Sequence, residues 1–232
     1  MNTRKRSLIH KCIMVCIAGM LVAAAGWAVE KGPNNSVDTV DELLAAIDKA
    51  DEELDSVRFS FTQKIEIPYS GEDQTIEGMA YFKKPANIRV EHRKPEKNLF
   101  VSDGTDVWYY SQELNQVMHG PWKDLENSAQ DYFRGIFNIN NYVNQLEEYY
   151  HISLLDKTDS SYRLSLVPKS DAVSYSMSMV ISAVDYFPIQ TVLESEAVHI
   201  ETTIRSIRKN ISIDDDRFTF TPPADALVMP FP

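Results

Sequence analysis

The stretch Phe-Lys-Lys-Pro-Ala-Asn-Ile-Arg-Val at residues 82–90, followed by Val-Ser-Asp-Gly-Thr-Asp-Val-Trp-Tyr-Tyr at residues 101–110, decides the fold of this chain. In the second run, Asp103-Gly104 divides two short apolar segments, a pattern that predicts a β-hairpin. In the first run, Pro85 interrupts strand pairing because proline has no N–H to donate, so a new strand is predicted to begin just after it. Both runs therefore predict short antiparallel strands joined by tight turns.

The same strand pattern extends in both directions from this stretch. From Val57 to Ile67, apolar residues alternate with polar ones at a period of two, which is typical of a half-buried strand. Strand patterns cover residues 57–67, 75–83, 88–92, 98–102, 106–110, 114–119, 149–155, 162–167, 175–182, 189–194, 198–207 and 217–221. The chain is therefore predicted to be mainly β.

Helical patterns occur at the start and in the middle of the chain. Apolar residues recur at spacings of three, four and seven over residues 37–54, with Ser36 or Asp38 available as the N-cap, which predicts an amphipathic helix. Residues 131–137 and 142–146 are predicted to form short helices or helical turns. About ten antiparallel strands with so few helices imply a strongly curved sheet or open barrel that carries its helices on one side.

Residues 1–28 have the composition of a cleavable export signal. Basic residues precede an apolar run over residues 12–25, and Gly26 and Ala28 supply the small side chains that a signal peptidase requires. The run is shorter than the about 20 residues of a membrane span, although an uncleaved anchor stays open as an alternative. We therefore expect a signal peptide at 1–28 and a single exported domain at 29–232.

Charge and cysteine content narrow the range of partners. The chain has 23 basic and 34 acidic residues, a formal charge of −11, and removal of residues 1–28 leaves 19 basic and 34 acidic residues, a charge of −15. This excess of acid disfavours nucleic acid and anionic membrane surfaces as partners. Both cysteines, Cys12 and Cys16, lie within the predicted signal, so the mature chain is expected to have no disulfide, no thiolate nucleophile and no lipid-modified cysteine.

The sequence shows no pattern typical of a catalytic or metal site. The histidines of the mature chain, His92, His119, His151 and His199, include no i, i+4 pair of the kind that binds zinc on a helix, and there is no nucleophile elbow or phosphate-binding glycine loop. Asp214 to Asp216 are consecutive carboxylates, which point in different directions in an extended chain and are typical of a solvated turn. We therefore predict a protein that is not an enzyme and has no cofactor and no metal.

Several short motifs keep the order and approximate spacing of a known family over residues 40–223. They are Phe61-Thr62-Gln63, Phe82-Lys83-Lys84-Pro85, Val101-Ser102-Asp103-Gly104, Trp108-Tyr109-Tyr110, Gln116-Val117 and Phe218-Thr219-Phe220-Thr221-Pro222-Pro223. In this ordered set the chain resembles LolA, the family of periplasmic outer-membrane lipoprotein carriers. The resemblance implies an open, incomplete antiparallel β-barrel of about ten to eleven strands, covered by an α-helical lid.

The resemblance also implies a function. Such a carrier binds the acyl chains of lipoproteins in an apolar cavity, receives them from an ATP-driven transporter in the inner membrane and delivers them to a receptor at the outer membrane. It performs no chemistry on this cargo. Because an acyl chain exposed to water costs about 0.8 kcal/mol per CH₂, a soluble shuttle must cover most of it. We expect a periplasmic monomer, since a shuttle needs its rim free.

The candidate site residues are apolar. The cavity wall is predicted from the strands as Phe59, Phe61, Met79, Tyr81, Val90, Leu99, Val101, Tyr109, Met177, Met179 and Ile181. The lid is predicted from the first helix and the middle segment as Leu43, Leu44, Ile47, Tyr132, Phe133, Ile136 and Phe137. Flexible methionines suit a surface that must fit cargoes of different shape. Any β-domain needs an apolar inner face, however, so an ordinary core capped permanently by helices gives the same pattern.

A basic residue directly before the proline, usually arginine, holds the lid to the barrel in the family pattern. Here that residue is Lys84, which cannot present the planar bidentate fork of arginine. Either this latch is looser in the present chain, or Arg89 takes over part of its role. The basic cluster between Lys83 and Lys97 could guide docking to an acidic partner, or it could simply prevent edge-to-edge strand pairing.

Three other functions stay open on the sequence alone. The protein could carry free lipid or glycolipid, because that cargo needs the same apolar cavity. It could be a lipid-sensing regulatory module of the same fold, although no second regulatory domain is visible after Pro223. A hydrolase with an unrecognised site would instead turn over an ester substrate.

Overall fold

The computed structural model describes residues 37–69, 71–123, 142–170 and 174–231. Within these ranges lie helix α1 (Val40–Glu52), helix α2 (Tyr142–Tyr149) and a 3₁₀ turn (Asp215–Phe218). The strands are β1 (Ser56–Ile67), β2 (Glu72–Lys83), β3 (Asn87–Lys94), β4 (Asn98–Asp103), β5 (Asp106–Ser111), β6 (Gln116–Pro121), β7 (Tyr150–Lys157), β8 (Ser161–Pro168), β9 (Tyr175–Ser182), β10 (Pro188–Ser195), β11 (His199–Lys209) and β12 (Leu227–Pro230).

The twelve strands form one sheet that is not closed. Its order is β12-β6-β5-β4-β3-β2-β1-β11-β10-β9-β8-β7, so β12 and β7 lie at its two ends. Neighbouring strands pair antiparallel, except that β12 pairs parallel to β6. The predicted open β-barrel with few helices is confirmed. The twelfth strand comes from an apolar segment near the C-terminal end for which the sequence pattern predicted no strand.

The hairpin predicted at Asp103-Gly104 joins β4 to β5. Gly104 has a φ of +89°, a left-handed backbone conformation that glycine adopts without steric cost. The Asp103 carboxylate accepts hydrogen bonds from the amides of Thr105 and Asp106, both at 2.9 Å. The two residue types that predicted the turn therefore stabilise it, the glycine through its backbone and the aspartate through its side chain.

The main hydrophobic core covers one face of the sheet, which we call the inner face. Phe59 lies opposite Ala80, Ala80 opposite Val90, and Val90 opposite Phe100, so the inner face runs across four neighbouring strands. All four side chains are buried, and the same core continues through β11, β10, β9 and β8. The curved sheet thereby brings distant parts of the chain into one apolar interior.

A smaller apolar cluster lies on the opposite, outer face. The segment that follows β11 crosses this face, where Phe218 packs with Tyr81 and Ile213, and Met79 and Ile211 lie beside them. The outer face of β2 is therefore apolar as well, where a later part of the chain covers it.

The strand predicted over residues 217–221 is not formed. Residues Asp215–Phe218 form the 3₁₀ turn instead, because the Asp214 side chain accepts a hydrogen bond from the amide of Asp216 at 3.3 Å and caps the turn. The consecutive aspartates thus belong to a capped surface turn. Across the described ranges, no group of three or more metal-binding side chains is found.

Helix α1 begins at a capping box around Thr39. The Thr39 hydroxyl accepts a hydrogen bond from the amide of Glu42 at 3.2 Å, and the Glu42 carboxylate accepts from the amides of Asp38 and Thr39. These amides hold the pKa of Glu42 below its usual value. The N-cap is therefore Thr39 and not Asp38, because only Thr39 has a glutamate three residues later to complete the box. Ser36, the other residue considered, lies outside the described residues.

Candidate functional site

Helix α1 packs against the apolar interior of the sheet. Leu43, Leu44 and Ile47 are buried on one side of this helix and belong to the same core as the inner-face strands. The helix also contacts α2 and the edge strand β7. The predicted helix over residues 142–146 is formed as α2. The remaining predicted lid residues, Tyr132, Phe133, Ile136 and Phe137, lie outside the described residues.

Seven of the eleven residues predicted for the cavity wall lie on the inner face and are 5% exposed or less. They are Phe59, Phe61, Val90, Tyr109, Met177, Met179 and Ile181. Strands β1, β3, β5 and β9 supply them, so the curvature of the sheet brings together residues from both halves of the chain.

The other four predicted wall residues, Met79, Tyr81, Leu99 and Val101, lie on the outer face. Because Phe59 pairs with Ala80, the neighbours of Ala80 on β2 point away from the core, and both pack in the outer cluster. On β4, Leu99 and Val101 flank the inward-pointing Phe100 and share the outer face. The expectation of a single face is therefore wrong for these four, because both faces of β2 and β4 are apolar.

The interior is packed with the protein's own side chains. The ring of Phe59 meets that of Phe187 edge to face, with centroids 6.0 Å apart. Leu43, Leu44 and Ile47 supply the part of this core that comes from helix α1, an element that takes no part in strand pairing.

One polar pair lies inside this apolar interior. Gln63 Nε2 donates a hydrogen bond to Thr202 Oγ1 at 2.9 Å, and both residues are fully buried. Gln63 Oε1 has no hydrogen-bond partner among the described residues. We did not predict Gln63 as a site residue, although its alternation with Phe61 and Ile65 already places it on the inner face.

Lys84 contacts the last turn of helix α1. Its Nζ donates a hydrogen bond to the carbonyl oxygen of Asp51 at 2.5 Å and lies 3.9 Å from an Asp51 carboxylate oxygen. The Lys84 ammonium adds a bond to a carbonyl that also accepts from the Leu54 amide at 3.0 Å, and its charge complements the helix dipole. Arg89 instead donates to the Glu91 carboxylate and to the carbonyl of Arg217. Of the two residues considered for the latch, Lys84 is the one that touches the helix.

Burial raises the pKa of Asp51 to about 6. The residue is 7% exposed, and its Oδ1 has no hydrogen-bond partner among the described residues. The charge of Lys84 opposes this shift of the pKa, whereas Asp48 and Glu52 add to it. The contact between α1 and the barrel therefore includes a carboxyl group that titrates near neutral pH.

Both ends of α1 are tied to the sheet by polar contacts. At the C-terminal end, Asn210 donates to the carbonyl of Glu53 at 3.0 Å and accepts from the amide of Asp55 at 2.8 Å. At the N-terminal end, Lys157 of β7 bonds Asp38 at 2.6 Å. We did not predict Asn210 either, because its partners lie more than 150 residues earlier in the chain and no local pattern joins them.

Comparison with known proteins places this architecture in a family. The family model described as "Outer membrane lipoprotein carrier protein LolA" matches residues 52–221, most of the chain. The chain belongs to the LolA family. The match begins in the last turn of α1 and extends past the 3₁₀ turn, so it includes Lys84 and all seven inner-face wall residues.

Two relatives in the LolA family show how far the similarity extends. An outer-membrane lipoprotein carrier protein of Methylibium petroleiphilum is 30% identical over 100 residues, which is 43% of this chain and 46% of the relative. Another of the same description, from Idiomarina loihiensis, is 21% identical over 209 residues, covering 90% of this chain and 94% of the relative. The second alignment spans nearly both chains at low identity.

A solved structure shares the fold of this LolA-family chain. An uncharacterised conserved protein from Thermus thermophilus superposes with a TM-score of 0.55 at 16% identity, covering 82% of this chain and 98% of the other. Within the residues described here, no helix combines the length and apolar composition that a membrane crossing requires.

Proposed function

We propose that this protein is a periplasmic carrier that binds the acyl chains of lipoproteins on the inner face of its sheet, in place of the apolar side of helix α1. Residues 1–28 serve as its export signal and residues 29–232 form the carrier domain. It receives cargo from an ATP-driven transporter in the inner membrane and passes it to a receptor at the outer membrane, as a monomer. The observation that carries the proposal is the continuity of the apolar inner face with the buried side of α1.

The free-energy cost of exposing the apolar side of α1 is of the same order as the gain from burying an acyl chain, which supports reversible binding. Exposing the three buried side chains of α1, Leu43, Leu44 and Ile47, costs about 5–9 kcal/mol at 1.5–3 kcal/mol each. Burying an acyl chain of about 16 carbons returns about 12 kcal/mol at 0.8 kcal/mol per CH₂. Cargo can therefore replace the helix on the inner face, and the modest surplus allows the cargo to be released again.

The lid in this proposal consists of α1 together with Tyr132, Phe133, Ile136 and Phe137, and Lys84 acts as its latch. Lys84 reaches the helix through one point charge, whereas arginine would offer a planar fork. The hydrogen bonds of Asn210 to Glu53 and Asp55, just after α1, stay in place as the helix leaves the inner face. The proposal assigns the protein binding alone and no reaction, in keeping with the carrier proteins it resembles.

The same substitution on opposite faces of the sheet tests the proposal. Met179 is buried on the inner face, whereas Met79 packs on the outer face beneath the segment that follows β11. We expect Met179→Asn to weaken binding of a palmitoylated peptide about tenfold, because a polar amide would lie against the acyl chain. Met79→Asn should change it by less than about twofold. Circular dichroism must show both variants folded, and equal effects would refute an inner-face site.

Native mass spectrometry of the mature protein, purified without detergent from its host's periplasm, identifies the cargo. A one-to-one complex with an acylated protein supports lipoprotein carriage. A bound mass of several hundred to about two thousand daltons, the size of a molecule that fills such a cavity, would point to free lipid or glycolipid instead. An empty chain that also fails to bind palmitoylated peptide would overturn the proposed function.

A further inference from the structure

Three arginines lie together on the outer face of β1 and β11, and we call them the arginine cluster: Arg58, Arg205 and Arg208. Arg58 lies directly opposite Arg208, and Arg205 lies opposite Ser60, the next residue of β1 that points outwards. Arg205 and Arg208 are exposed, and Arg58 is half-buried. Three positive charges therefore share one patch of the sheet.

The arginine cluster has no internal counter-charge. Among the described residues, none of its three members forms an ion pair, and the Arg58 Nε is buried without a hydrogen-bond partner. The neighbouring basic residues of the outer face behave differently. They are paired as Lys83 with Asp215, Arg89 and Arg93 with Glu91, and Lys94 with Glu77.

This arrangement does not stabilise the fold. Residues directly opposite on antiparallel strands have Cβ atoms about 4.5–5.5 Å apart, and like charges there are destabilising. Yet the chain as a whole carries a charge of −11, so acidic side chains are plentiful elsewhere. An unpaired positive patch in an acidic protein is better explained by a partner that supplies the missing negative charge.

We propose that the arginine cluster docks a compact acidic patch on a protein partner of the carrier. This inference rests on the proposed function, which requires two protein partners. Guanidinium groups pair bidentately with carboxylates, so a few aspartates or glutamates on a partner would satisfy all three arginines. An anionic membrane extends beyond the cluster, so the net negative charge of the whole chain would repel it.

The position of the arginine cluster suits such a partner. It lies on the outer face of the sheet, whereas α1 packs on the inner face. A partner bound at the cluster therefore leaves the helix free to move and the interior free to take up or release an acyl chain.

The test measures association of the cargo-free protein with its two proposed partners, both from the same organism. The inner-membrane transporter is held in zwitterionic nanodiscs, and the outer-membrane receptor is used as its soluble domain, each at about 50 and about 200 mM salt. The variants are Arg205→Glu, Arg208→Glu and a matched control, Arg163→Glu. Arg163 is exposed on the outer face of β8, so every variant changes the net charge equally and only the location differs.

For at least one partner, we expect the two cluster variants to slow association about tenfold at the lower salt concentration and less at the higher one. The association rate of Arg163→Glu should stay within about twofold of that of the unchanged protein. Equal effects of all three variants, or none, would overturn the proposal. A selective loss on empty nanodiscs that contain phosphatidylglycerol would assign the cluster to lipid phosphate and overturn it too. Palmitoylated-peptide binding separates the two proposals. If the protein binds the palmitoylated peptide but binds neither partner, the proposed docking surface is wrong and the proposed acyl carriage stands.

Discussion

The ammonium group of Lys84 lies 2.5 Å from the main-chain carbonyl oxygen of Asp51 and 3.9 Å from the carboxylate of the same residue. Lys84 follows strand β2 and Asp51 lies in the last turn of α1, so this contact joins the sheet to the helix that covers its interior. The charge of the lysine also lowers the pKa of this buried carboxyl group, against the effect of burial. One side chain thus links helix docking to the protonation of Asp51.

Lys84→Met should loosen helix α1. The change removes the charge and the hydrogen bond but keeps an unbranched apolar stem, and a hydrogen bond to a charged group contributes about 1.5–3 kcal/mol. Because the docked helix competes with cargo for the inner face, we expect weaker docking to slow release of a fluorescent palmitoylated peptide about tenfold or more in stopped-flow measurements. Lys83→Met is the control, because Lys83 contacts the Ile213 carbonyl and Asp215 on the outer face. Equal slowing by both changes, or faster release in Lys84→Met, would contradict a latch at Lys84.

Asp51 should make the protein less stable as the pH rises. Its pKa is raised from 3.8 to about 6, so the folded state takes up a proton at a higher pH than the unfolded chain. The stabilisation from this proton is complete below about pH 4 and is lost as the pH rises through 6, about 2–3 kcal/mol in all. Urea unfolding should show Asp51→Asn more stable than the unchanged protein at about pH 7.5 and equal to it at about pH 4. The same difference at both pH values would refute the assignment.

His92 should act in the opposite direction. Burial lowers the pKa of this residue, which is 8% exposed with its ring edge-on to Phe61, from 6.5 to about 4. Acid protonates the unfolded chain first, so stability falls by about 3 kcal/mol as the pH drops from about 6.5 through 4. His92→Phe should remove this loss, which unfolding curves across the window would show. An NMR titration that finds the imidazole pKa near its ordinary value would contradict the prediction.

The effects of Asp51 and His92 overlap between about pH 4 and 6 and have opposite signs. The unchanged protein should therefore show a flatter stability profile there than either single variant. Measuring each variant against the unchanged protein at the same pH separates the two groups.

Gly78→Ala should destabilise the sheet strongly. A Cβ atom at this position would lie 2.1 Å from Phe61 Cζ and 2.5 Å from the carbonyl oxygen of Glu91, so a core ring and a neighbouring strand must both shift. We expect a loss of about 2–4 kcal/mol in the free energy of unfolding. Gly120→Ala is the matched strand control, because its nearest neighbour is Phe231 at 3.5 Å. A loss below about 1 kcal/mol at Gly78 would show that Phe61 can move aside.

Local patterns predicted most of the elements. The apolar spacing over residues 37–54 corresponds to α1, and Asp103-Gly104 marks the β4–β5 turn. These predictions succeed because helix period, strand alternation and turn chemistry depend on residues a few positions apart. The alternation of apolar and polar residues over residues 217–221 predicts a strand. In the structure, the Asp214 cap stabilises a 3₁₀ turn at Asp215–Phe218 instead.

By itself, the sequence determined where most of the strands and helices form and that alternating residues such as Phe59 and Phe61 share one face. The tertiary structure decided which apolar residues face the interior, because Met79 and Tyr81 are turned outwards by the pairing of Phe59 with Ala80 and covered by the segment after β11. It also decided the contacts of Lys84 with Asp51, 33 residues apart. Strand register and the path of a later segment set such contacts, and no local period encodes either of them.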